Sequence, residues 1–174
     1  MAVPSPPPPT NISFVMESLI LSVAIPLASG FIVGRQSRTA DNKFWDDLRK
    51  PTFTPPKWSF RFVWAILYLC VGWASHLVAV EANHNPDRVF REQAQYALRL
   101  YWIQLVASFT WAPLFFAARQ VRVAWASNVL VTILIGMTLE QFSRVSTGAG
   151  LLLVPYLAWV VLSGFLNLYI ALNN

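Results

Sequence analysis

The sequence predicts an all-α integral membrane protein, a bundle of five transmembrane helices, and three observations support that prediction. Of the 174 residues, 56% are hydrophobic and only 12% are charged, whereas soluble domains carry about 25% charged residues. The mean hydropathy is +0.48, and the few charges leave five long stretches without any. A chain so poor in charge cannot cover a globular surface with solvated groups. This composition excludes an ordinary cytosolic enzyme, a disordered protein and a nucleic-acid-binding protein.

The charge-free stretches have the length of membrane-spanning helices. They contain 17, 19, 19, 17 and 30 residues, and they lie between Glu17 and Arg35, between Arg61 and Glu81, between Arg99 and Arg119, between Arg122 and Glu140, and after Arg144. A helix needs about 17–25 apolar residues to cross a hydrocarbon core of about 30 Å. The stretches do not alternate polar and apolar residues as the strands of a membrane barrel do. The pattern therefore predicts five spanning helices.

Lysine and arginine are unevenly divided between the loops that connect these helices. The first and third loops hold nine of them: Arg35, Arg38, Lys43, Arg49, Lys50, Lys57, Arg61, Arg119 and Arg122. The second and fourth loops hold four: Arg88, Arg91, Arg99 and Arg144. Because cytosolic loops are enriched in Lys and Arg, we predict that the first and third loops and the C-terminus are cytosolic and that the N-terminus lies across the membrane.

The first eleven residues differ from the rest of the chain in composition. They contain five prolines and no charge, and consecutive prolines favour an extended polyproline II conformation. We predict a disordered Pro-rich tail over residues 1–11 and one five-helix transmembrane domain over residues 12–174. The single cysteine, Cys70, lies inside a predicted span and has no partner, so no disulfide is expected.

The first loop, from about Gly34 to Ser59, carries most of the functional information. Its second half contains Pro51, Pro55 and Pro56, which make the backbone rigid and extended because proline fixes φ and removes a hydrogen-bond donor. Aromatic residues, among them Trp58, are interleaved with these prolines. Such a loop, rich in proline and tryptophan, suits a lid over a ligand pocket. The same aromatic residues also suit the interfacial belt that membrane helices commonly carry.

Three predicted helices each carry a stripe of polar and aromatic residues spaced three or four apart. The stripes are Trp64 and Tyr68 on the second helix, Gln104, Ser108 and Trp111 on the third, and Trp159, Ser163 and Asn167 with the adjacent Leu166 on the fifth. Residues at this spacing share a helix face. If the three faces converge, they form an apolar pocket with a few polar groups, which is typical of a small-molecule site. The same residues also suit the contacts by which membrane helices pack together.

The sequence shows no pattern typical of a metal or phosphate site. It has no His or Cys pair at ligand spacing and no Gly-rich phosphate loop. His76 lies near the charge boundary at Glu81, where a hydrogen-bonded interfacial histidine is expected in preference to a haem ligand. We therefore expect no metal site and no required cofactor.

The segment Leu48–Tyr68 reads Leu-x-Lys-Pro-x-x-x-Pro-Pro-x-Trp-x-Phe-x-x-Val-Trp-x-x-Leu-Tyr and closely resembles the translocator protein family (TspO/MBR, the peripheral benzodiazepine receptors). Residues 104–120 resemble the family's third helix and its exit, and residues 155–167 resemble its fifth helix. The resemblance covers the chain from about Glu17 to the C-terminus. It implies a bundle of five transmembrane helices, usually a homodimer, that binds porphyrins, sterols and synthetic ligands. It also implies the outer mitochondrial membrane or another intracellular membrane.

Through this resemblance, Trp64 and Trp159 match tryptophans implicated in porphyrin handling. The implied function is a membrane receptor or binding protein for planar hydrophobic ligands, namely porphyrin or haem-type tetrapyrroles, with sterols as a further class. The tetrapyrrole is then a ligand that the protein handles or transports. Two alternatives stay open: an enzyme that degrades porphyrin through Trp64 and Trp159, and a sterol translocator.

This sequence also departs from the family's pattern at several positions. Phe44–Trp45 stands where the family usually has Trp-Tyr, and Ser108 replaces an asparagine of the third helix. Arg99 interrupts the small-xxx-small motif associated with dimerisation, which disfavours a dimer through that face. No basic residue follows Tyr169, so the proposed sterol motif at the C-terminus is incomplete.

Overall fold

The computed structural model describes residues 11–39 and 42–174, and within those ranges all regular structure is helical. The seven α-helices are α1 (Asn11–Glu17), α2 (Leu19–Thr39), α3 (Asn42–Asp47), α4 (Lys57–His84), α5 (Arg88–Ala112), α6 (Val121–Val145) and α7 (Thr147–Asn173). A π-helical turn, Pro113–Ala117, continues α5. Residues 1–10 of the predicted Pro-rich tail lie outside the described residues, and Asn11, the last residue of that tail, begins α1.

Four of the described helices have the length and composition of a membrane span. These are α4, α5 together with the π-helical turn, α6 and α7. The predicted first span corresponds to a shorter apolar segment of α2, Leu19–Arg35. The chain is therefore a helical, multi-pass membrane protein, and the five-span bundle stays a prediction.

Short, capped connections join the helices at the end of the bundle opposite the first loop. The side chain of Asp87 accepts a hydrogen bond from the backbone N–H of Val89 at 2.9 Å, which caps the start of α5. Ser146 alone separates α6 from α7, and its hydroxyl accepts a hydrogen bond from the N–H of Ala149 at 3.4 Å. Because these connections are so short, α4 and α5 are antiparallel neighbours, and so are α6 and α7.

The long helices form a ring. In this ring α2 contacts α4, α4 contacts α7, α7 contacts α6, α6 contacts α5, and α5 contacts α2, while α4 and α5 also contact each other across the ring. The contact between α2 and α4 depends on Gly72, because a Cβ atom there would lie 2.6 Å from the backbone oxygen of Ser22. Only glycine lets the two backbones approach this closely.

The core of the ring combines small residues with a few large aromatic ones. Its buried alanines include Ala74, Ala79, Ala82, Ala94, Ala97 and Ala149. Its largest fully buried side chains include Tyr101, Tyr156, Phe115 and Phe142. Small residues allow membrane helices to pack closely, and the aromatic rings fill the wider gaps that remain.

The end of α1, just before the one-residue break that separates it from α2, is hydrogen-bonded to the last turns of α4. The Nδ1 atom of His76 lies 3.3 Å from the carbonyl oxygen of Met16, and because a carbonyl only accepts, Nδ1 is the donor. The carboxylate of Glu17 accepts a hydrogen bond from Asn83 Nδ2 at 2.8 Å and contacts His84 Nε2 at 2.5 Å. His76 is therefore hydrogen-bonded to protein.

The first loop is shorter than the predicted range Gly34–Ser59 and is partly helical. Helix α2 continues to Thr39, and residues 42–47 form α3. Residues 48–56 carry no helix, as their prolines predict. Helix α4 begins at Lys57, directly after the last of them. The sequence did not predict α3, because six residues without a strong apolar period give no helical signal.

Candidate functional site

Aromatic side chains from five segments meet at the end of the bundle that carries the first loop. They form one continuous group, called here the loop-end cluster: Phe44 and Trp45 of α3, Phe60 of α4, Trp111 of α5, Phe115 and Phe116 of the π-helical turn, and Trp159 of α7. Phe115 is fully buried, and the other rings are half-buried around it.

Trp45 connects the rings around Phe115 to those of α4 and α7. Its ring centroid lies 6.1 Å from that of Phe60, 6.0 Å from that of Phe115 and 6.3 Å from that of Phe116. Phe60 in turn makes an edge contact with Trp159 at 5.6 Å. These distances are in the range in which aromatic pairs attract each other. The Trp45 side chain thus joins the short helix α3 to α4 and to the π-helical turn, and Phe60 extends this contact to α7.

The π-helical turn gives Phe115 and Phe116 their positions. Pro113 has no N–H and widens the helix, so that the N–H of Ala118 donates to the carbonyl of Pro113 at 2.9 Å. The N–H of Gln120 then donates to the carbonyl of Leu114 at 3.0 Å, and Arg119 adopts a φ of 54°. This is the Schellman type of helix end, which usually places glycine at the left-handed position. The Arg119 guanidinium lies 5.5 Å from the centroid of the Phe44 ring.

A second set of residues, called here the central group, lies deeper in the bundle and consists of Trp64, Tyr68, Gln104 and Tyr156. Trp64 stacks on Tyr68 with centroids 5.5 Å apart and contacts Tyr156 edge-on at 6.0 Å. Tyr68 lies against Gly30 of α2, where a Cβ atom would come within 2.1 Å of its ring. The stripe predicted on the second helix is therefore one face of α4, turned toward α2 and α7.

Gln104 is the polar member at the middle of this group. It is fully buried, and its Nε2 atom donates to the hydroxyl of Tyr156 at 2.8 Å. Its Oε1 atom is buried and has no protein partner among the described residues, and the same holds for the indole N–H groups of Trp111 and Trp159. An unpaired buried polar atom costs about 1–3 kcal/mol. Each of these three atoms therefore retains an unused capacity for a hydrogen bond.

The structure brings several of the predicted site residues together. Leu166 is buried in the same cluster as Phe115, with Trp111 packed against it. Asn167 beside it is 3% exposed. The hydroxyl of Ser163 donates to the carbonyl of Trp159 at 2.8 Å.

Other predicted residues lie apart from these. Trp58 is 66% exposed on the first turn of α4. Pro51 is buried in the loop, where its carbonyl accepts hydrogen bonds from the N–H and the hydroxyl of Thr54 at 3.1 and 2.6 Å. The hydroxyl of Ser108 donates to the carbonyl of Leu105 at 2.7 Å, inside its own helix. Trp64 belongs to the central group, whereas Trp111 and Trp159 belong to the loop-end cluster.

Sequence reasoning missed four residues that make the ring and hydrogen-bond contacts within these two groups: Trp45, Phe60, Phe115 and Tyr156. Phe60 links Trp45 to Trp159, Tyr156 links Trp64 to Gln104, and Phe115 lies under Trp111 at 5.1 Å in a stacked arrangement. Two of them carry a signal in the sequence, since Phe60 precedes Trp64 by four residues and Tyr156 precedes Trp159 by three. The positions of Trp45 and Phe115 depend on α3 and on the π-helical turn, which leave no such periodic signal.

Two apolar grooves mark the outer surface of the bundle. One, of about 400 Å³, lies between α4 and α7 and is lined by Val63, Ile66, Leu67, Pro155, Ala158, Trp159 and Leu162. The other, of about 570 Å³, lies between α2 and α4 and is lined by Leu19, Ile20, Val23, Ala24, Leu27, Leu69 and Trp73. Trp159 thus contacts the loop-end cluster and also lines a surface groove.

Across residues 11–39 and 42–174, no three or more His, Cys, Asp and Glu side chains are grouped so that they could hold a metal ion. The Nδ1 atom of His76 donates a hydrogen bond to the carbonyl of Met16. The described site offers rings for stacking and neutral groups for hydrogen bonding, with the Arg119 guanidinium beside Phe44 and the Lys50 ammonium beside Trp45.

Comparison with known proteins agrees with this architecture. Residues 22–172 match the model of the TspO/MBR family. The chain is 33% identical over 150 residues to a translocator protein homolog of Schizosaccharomyces pombe, covering 86% of this chain and 88% of that protein. It is 36% identical over 132 residues to the translocator protein of Homo sapiens, covering 76% and 75% of the two chains. It is 31% identical over 126 residues to the tryptophan-rich sensory protein of Cereibacter sphaeroides, covering 72% and 73%. With a helical, multi-pass membrane architecture and a family match over most of its length, the chain belongs to the TspO/MBR family.

Proposed function

We propose that this protein is a membrane receptor for planar hydrophobic ligands of the tetrapyrrole class, bound at the loop-end cluster. The observation that carries the proposal is the combination of stacked aromatic rings with unpaired, buried indole N–H groups on Trp111 and Trp159. Family membership supports a binding or transport role at a membrane.

A tetrapyrrole fits this chemistry in two ways. Its broad π-face stacks on aromatic rings such as those of Trp159 and Phe60. Its polar atoms can also pair with groups that the protein leaves unpaired, because a pyrrole N–H donates to an acceptor such as Gln104 Oε1 and a carboxylate accepts from an indole N–H. Each such bond contributes about 0.5–1.5 kcal/mol net.

The proposal gives the first loop a role as a lid. In the structure the Trp45 ring lies against Phe60, Phe115 and Phe116. A macrocycle that enters among these rings has to displace Trp45, and with it α3, and the loop then closes again over the bound ligand. Ligand binding is therefore coupled to movement of the first loop.

The proposal also includes the finer features implied by the family resemblance. The protein spans an intracellular membrane, such as the outer mitochondrial membrane, five times as a homodimer, with the first and third loops in the cytosol. Sterols are the second ligand class. The names of the relatives, "translocator protein" and "tryptophan-rich sensory protein", support transport or sensing as the role that binding serves.

The test is titration of the purified protein with protoporphyrin IX, followed by quenching of tryptophan fluorescence. Trp159→Phe and Trp111→Phe keep an aromatic ring and lose the N–H, so each should weaken binding about three- to tenfold. Trp159→Leu also removes the ring and should weaken binding further. Trp73→Phe is the matched control, because Trp73 is 54% exposed in the groove between α2 and α4. Equal affinities in all four variants would refute the proposed site.

The same samples test the alternative function, enzymatic degradation of porphyrin. We propose binding without turnover, so that protoporphyrin recovered after incubation in light and in darkness should be unchanged by absorbance and mass spectrometry. A product that forms in the unmodified protein and is lost when Trp64 or Trp159 becomes Phe would establish the enzyme instead.

A further inference from the structure

Asn174, directly after α7, is hydrogen-bonded to the first loop by its side-chain amide. The backbone N–H of Arg49 donates to Asn174 Oδ1 at 2.9 Å, and Asn174 Nδ2 donates to the carbonyl of Arg49 at 3.2 Å. Nδ2 also donates to the carbonyl of Ile170 at 2.9 Å, which orients the side chain on its own helix. Both backbone groups of Arg49 are thus paired with one carboxamide, 125 positions away in the chain.

This two-point contact lies next to the segment that carries Trp45. Lys50 follows Arg49 and donates through Nζ to the carbonyls of Trp45, Asp46 and Leu48. The last carbonyls of a helix lack partners within it, so a lysine there satisfies them. The hydrogen bonds of Lys50 therefore connect the end of α3 to the segment that contains Arg49, and those of Asn174 connect Arg49 to α7.

Helix α3 depends on such outside contacts for its position. It has six residues, far fewer than the roughly 12–15 that an isolated helix needs for marginal stability in water. The ion pair between Asp46 and Lys57, at 2.6 Å, is more than half exposed on both side chains, and exposed pairs contribute little. The ring contacts of Phe44 and Trp45, the Arg119 guanidinium beside Phe44 and the Asn174–Arg49 pair are further attachments of this part of the loop.

We infer that Asn174 is a positioning residue that holds the first loop over the loop-end cluster, and that ligand exchange requires release of Arg49 from its carboxamide. The ligand-exchange part of this inference rests on the proposed function, whereas the positioning of the first loop by Asn174 does not. The Asn174 side chain then controls how fast a ligand enters and leaves. It has less effect on equilibrium affinity, because the contact is remade when the loop closes over a bound ligand.

The chain offers a matched control for this inference. Asn173 is the same residue type one position earlier, and its Nδ2 atom donates to the carbonyl of Tyr169 in its own helix at 2.7 Å. Asn173→Ala therefore removes a helix-end hydrogen bond without touching the loop. Asn174→Asp keeps an acceptor for the Arg49 N–H and loses the donor, so it should fall between Asn174→Ala and the unmodified protein.

The first measurement is hydrogen exchange of the backbone amides of residues 43–49 in the full-length protein without ligand. Asn174→Ala should speed exchange about tenfold, Asn174→Asp less, and Asn173→Ala not at all. The second measurement is stopped-flow mixing with protoporphyrin IX. In Asn174→Ala the association and dissociation rates should both rise about tenfold while their ratio changes less than threefold.

The two measurements separate this inference from the proposed function. Equal exchange in Asn174→Ala and Asn173→Ala would refute the positioning role. Faster exchange with unchanged porphyrin rates would refute control of ligand exchange. Absence of porphyrin binding in the unmodified protein would refute the proposed function and with it the exchange step, and the positioning role would then be decided by hydrogen exchange alone.

Discussion

Gln104 of α5 and Tyr156 of α7 are joined by a hydrogen bond of 2.8 Å, and both side chains are buried in the middle of the bundle. The bond links two helices that lie on opposite sides of α6 in the ring. Tyr156 in turn contacts Trp64, and the Oε1 atom of Gln104 has no partner among the described residues. A structural hydrogen bond and the acceptor proposed for a ligand therefore share one side chain.

This pair gives a prediction about stability. Tyr156→Phe should cost about 1 kcal/mol, because it leaves the Gln104 amide without its partner inside the membrane. Adding Gln104→Met should restore part of that loss, since the double variant buries no unpaired amide. The measurement is the free energy of unfolding in mixed micelles for the two single variants and the double variant. A double variant less stable than Tyr156→Phe would contradict the explanation.

A second prediction concerns the left-handed backbone at Arg119, whose φ is 54°. Arg119→Ala and Arg119→Gly both remove the guanidinium from Phe44, but only glycine adopts this conformation without strain. The glycine variant should therefore be about 1 kcal/mol more stable than the alanine variant. Thermal unfolding of the two variants in the same detergent provides the comparison. Equal stability would mean that the end of the π-helical turn is not strained.

A third prediction concerns pH. The hydrogen bonds from His84 and then from Asn83 lower the pKa of Glu17 below its usual value of 4.5. A carboxyl group whose pKa is lower in the folded state stabilises the fold at pH values above the unfolded pKa, and this contribution is lost as pH falls through the folded pKa. The unmodified protein should therefore lose stability below about pH 4.5.

Glu17→Gln should be less stable than the unmodified protein at pH 7 and should show a smaller loss on acidification. Glu92→Gln is the control, because Glu92 pairs with Arg88 in an exposed i,i+4 contact. The measurement is the unfolding midpoint between pH 3 and pH 7 for all three proteins. If the unfolding midpoint falls with pH equally in the unmodified protein and in Glu17→Gln, then Glu17 is not the cause of the loss of stability in acid.

A fourth prediction concerns topology. Lys57 and Asn85 stand at opposite ends of α4, and the distribution of Lys and Arg places them on opposite sides of the membrane. Single cysteines at Ser5, Lys57 and Asn85, in a Cys70→Ala background, should react with an impermeant maleimide from different sides. Positions 5 and 85 should share one side because two predicted spans separate them, whereas one predicted span separates position 5 from position 57. Labelling of positions 5 and 57 from the same side would overturn the five-span bundle.

A fifth prediction is that the protein binds tetrapyrrole more tightly than cholesterol. The C-terminal motif lacks a basic residue after Tyr169, and the amides that could replace it are already engaged, Asn173 by Tyr169 and Asn174 by Arg49. A lost hydrogen bond to a charged group is worth about 1.5–3 kcal/mol, which is about ten- to a hundredfold in affinity. Titration with both ligands in one detergent, with Asn173→Arg as the comparison, measures the effect. Tighter cholesterol binding that the arginine does not improve would contradict the prediction.

The sequence predicted best what depends on one helix at a time. Long charge-free stretches mark the spans because the cost of a charge in hydrocarbon acts on each helix separately. The i,i+4 spacing of Trp64 and Tyr68 likewise predicts a shared face, and their rings are stacked in the structure. Local geometry alone places these residues.

What depends on two helices or on a backbone irregularity could not be predicted in this way. The partner of Gln104 is Tyr156, 52 positions away, and nothing local to either residue selects the other. The widened turn after Pro113 rotates Phe115 into the core, although its position in the sequence resembles that of any apolar residue in a span. The attachment of Arg49 to Asn174 similarly requires the closed ring of helices.

The close approach at Gly72 has a consequence for biogenesis. Helix α2 is synthesised before α4, and its apolar segment is shorter than the candidate spans that follow it, so it gains less from lipid alone. Its backbone meets α4 at Ser22 and Gly72, and this contact exists only after α4 has been synthesised. Helix α2 is thus held in place by a helix that follows it in the chain, and a side chain larger than glycine at position 72 would delay or prevent that step while leaving the α6–α7 hairpin able to assemble.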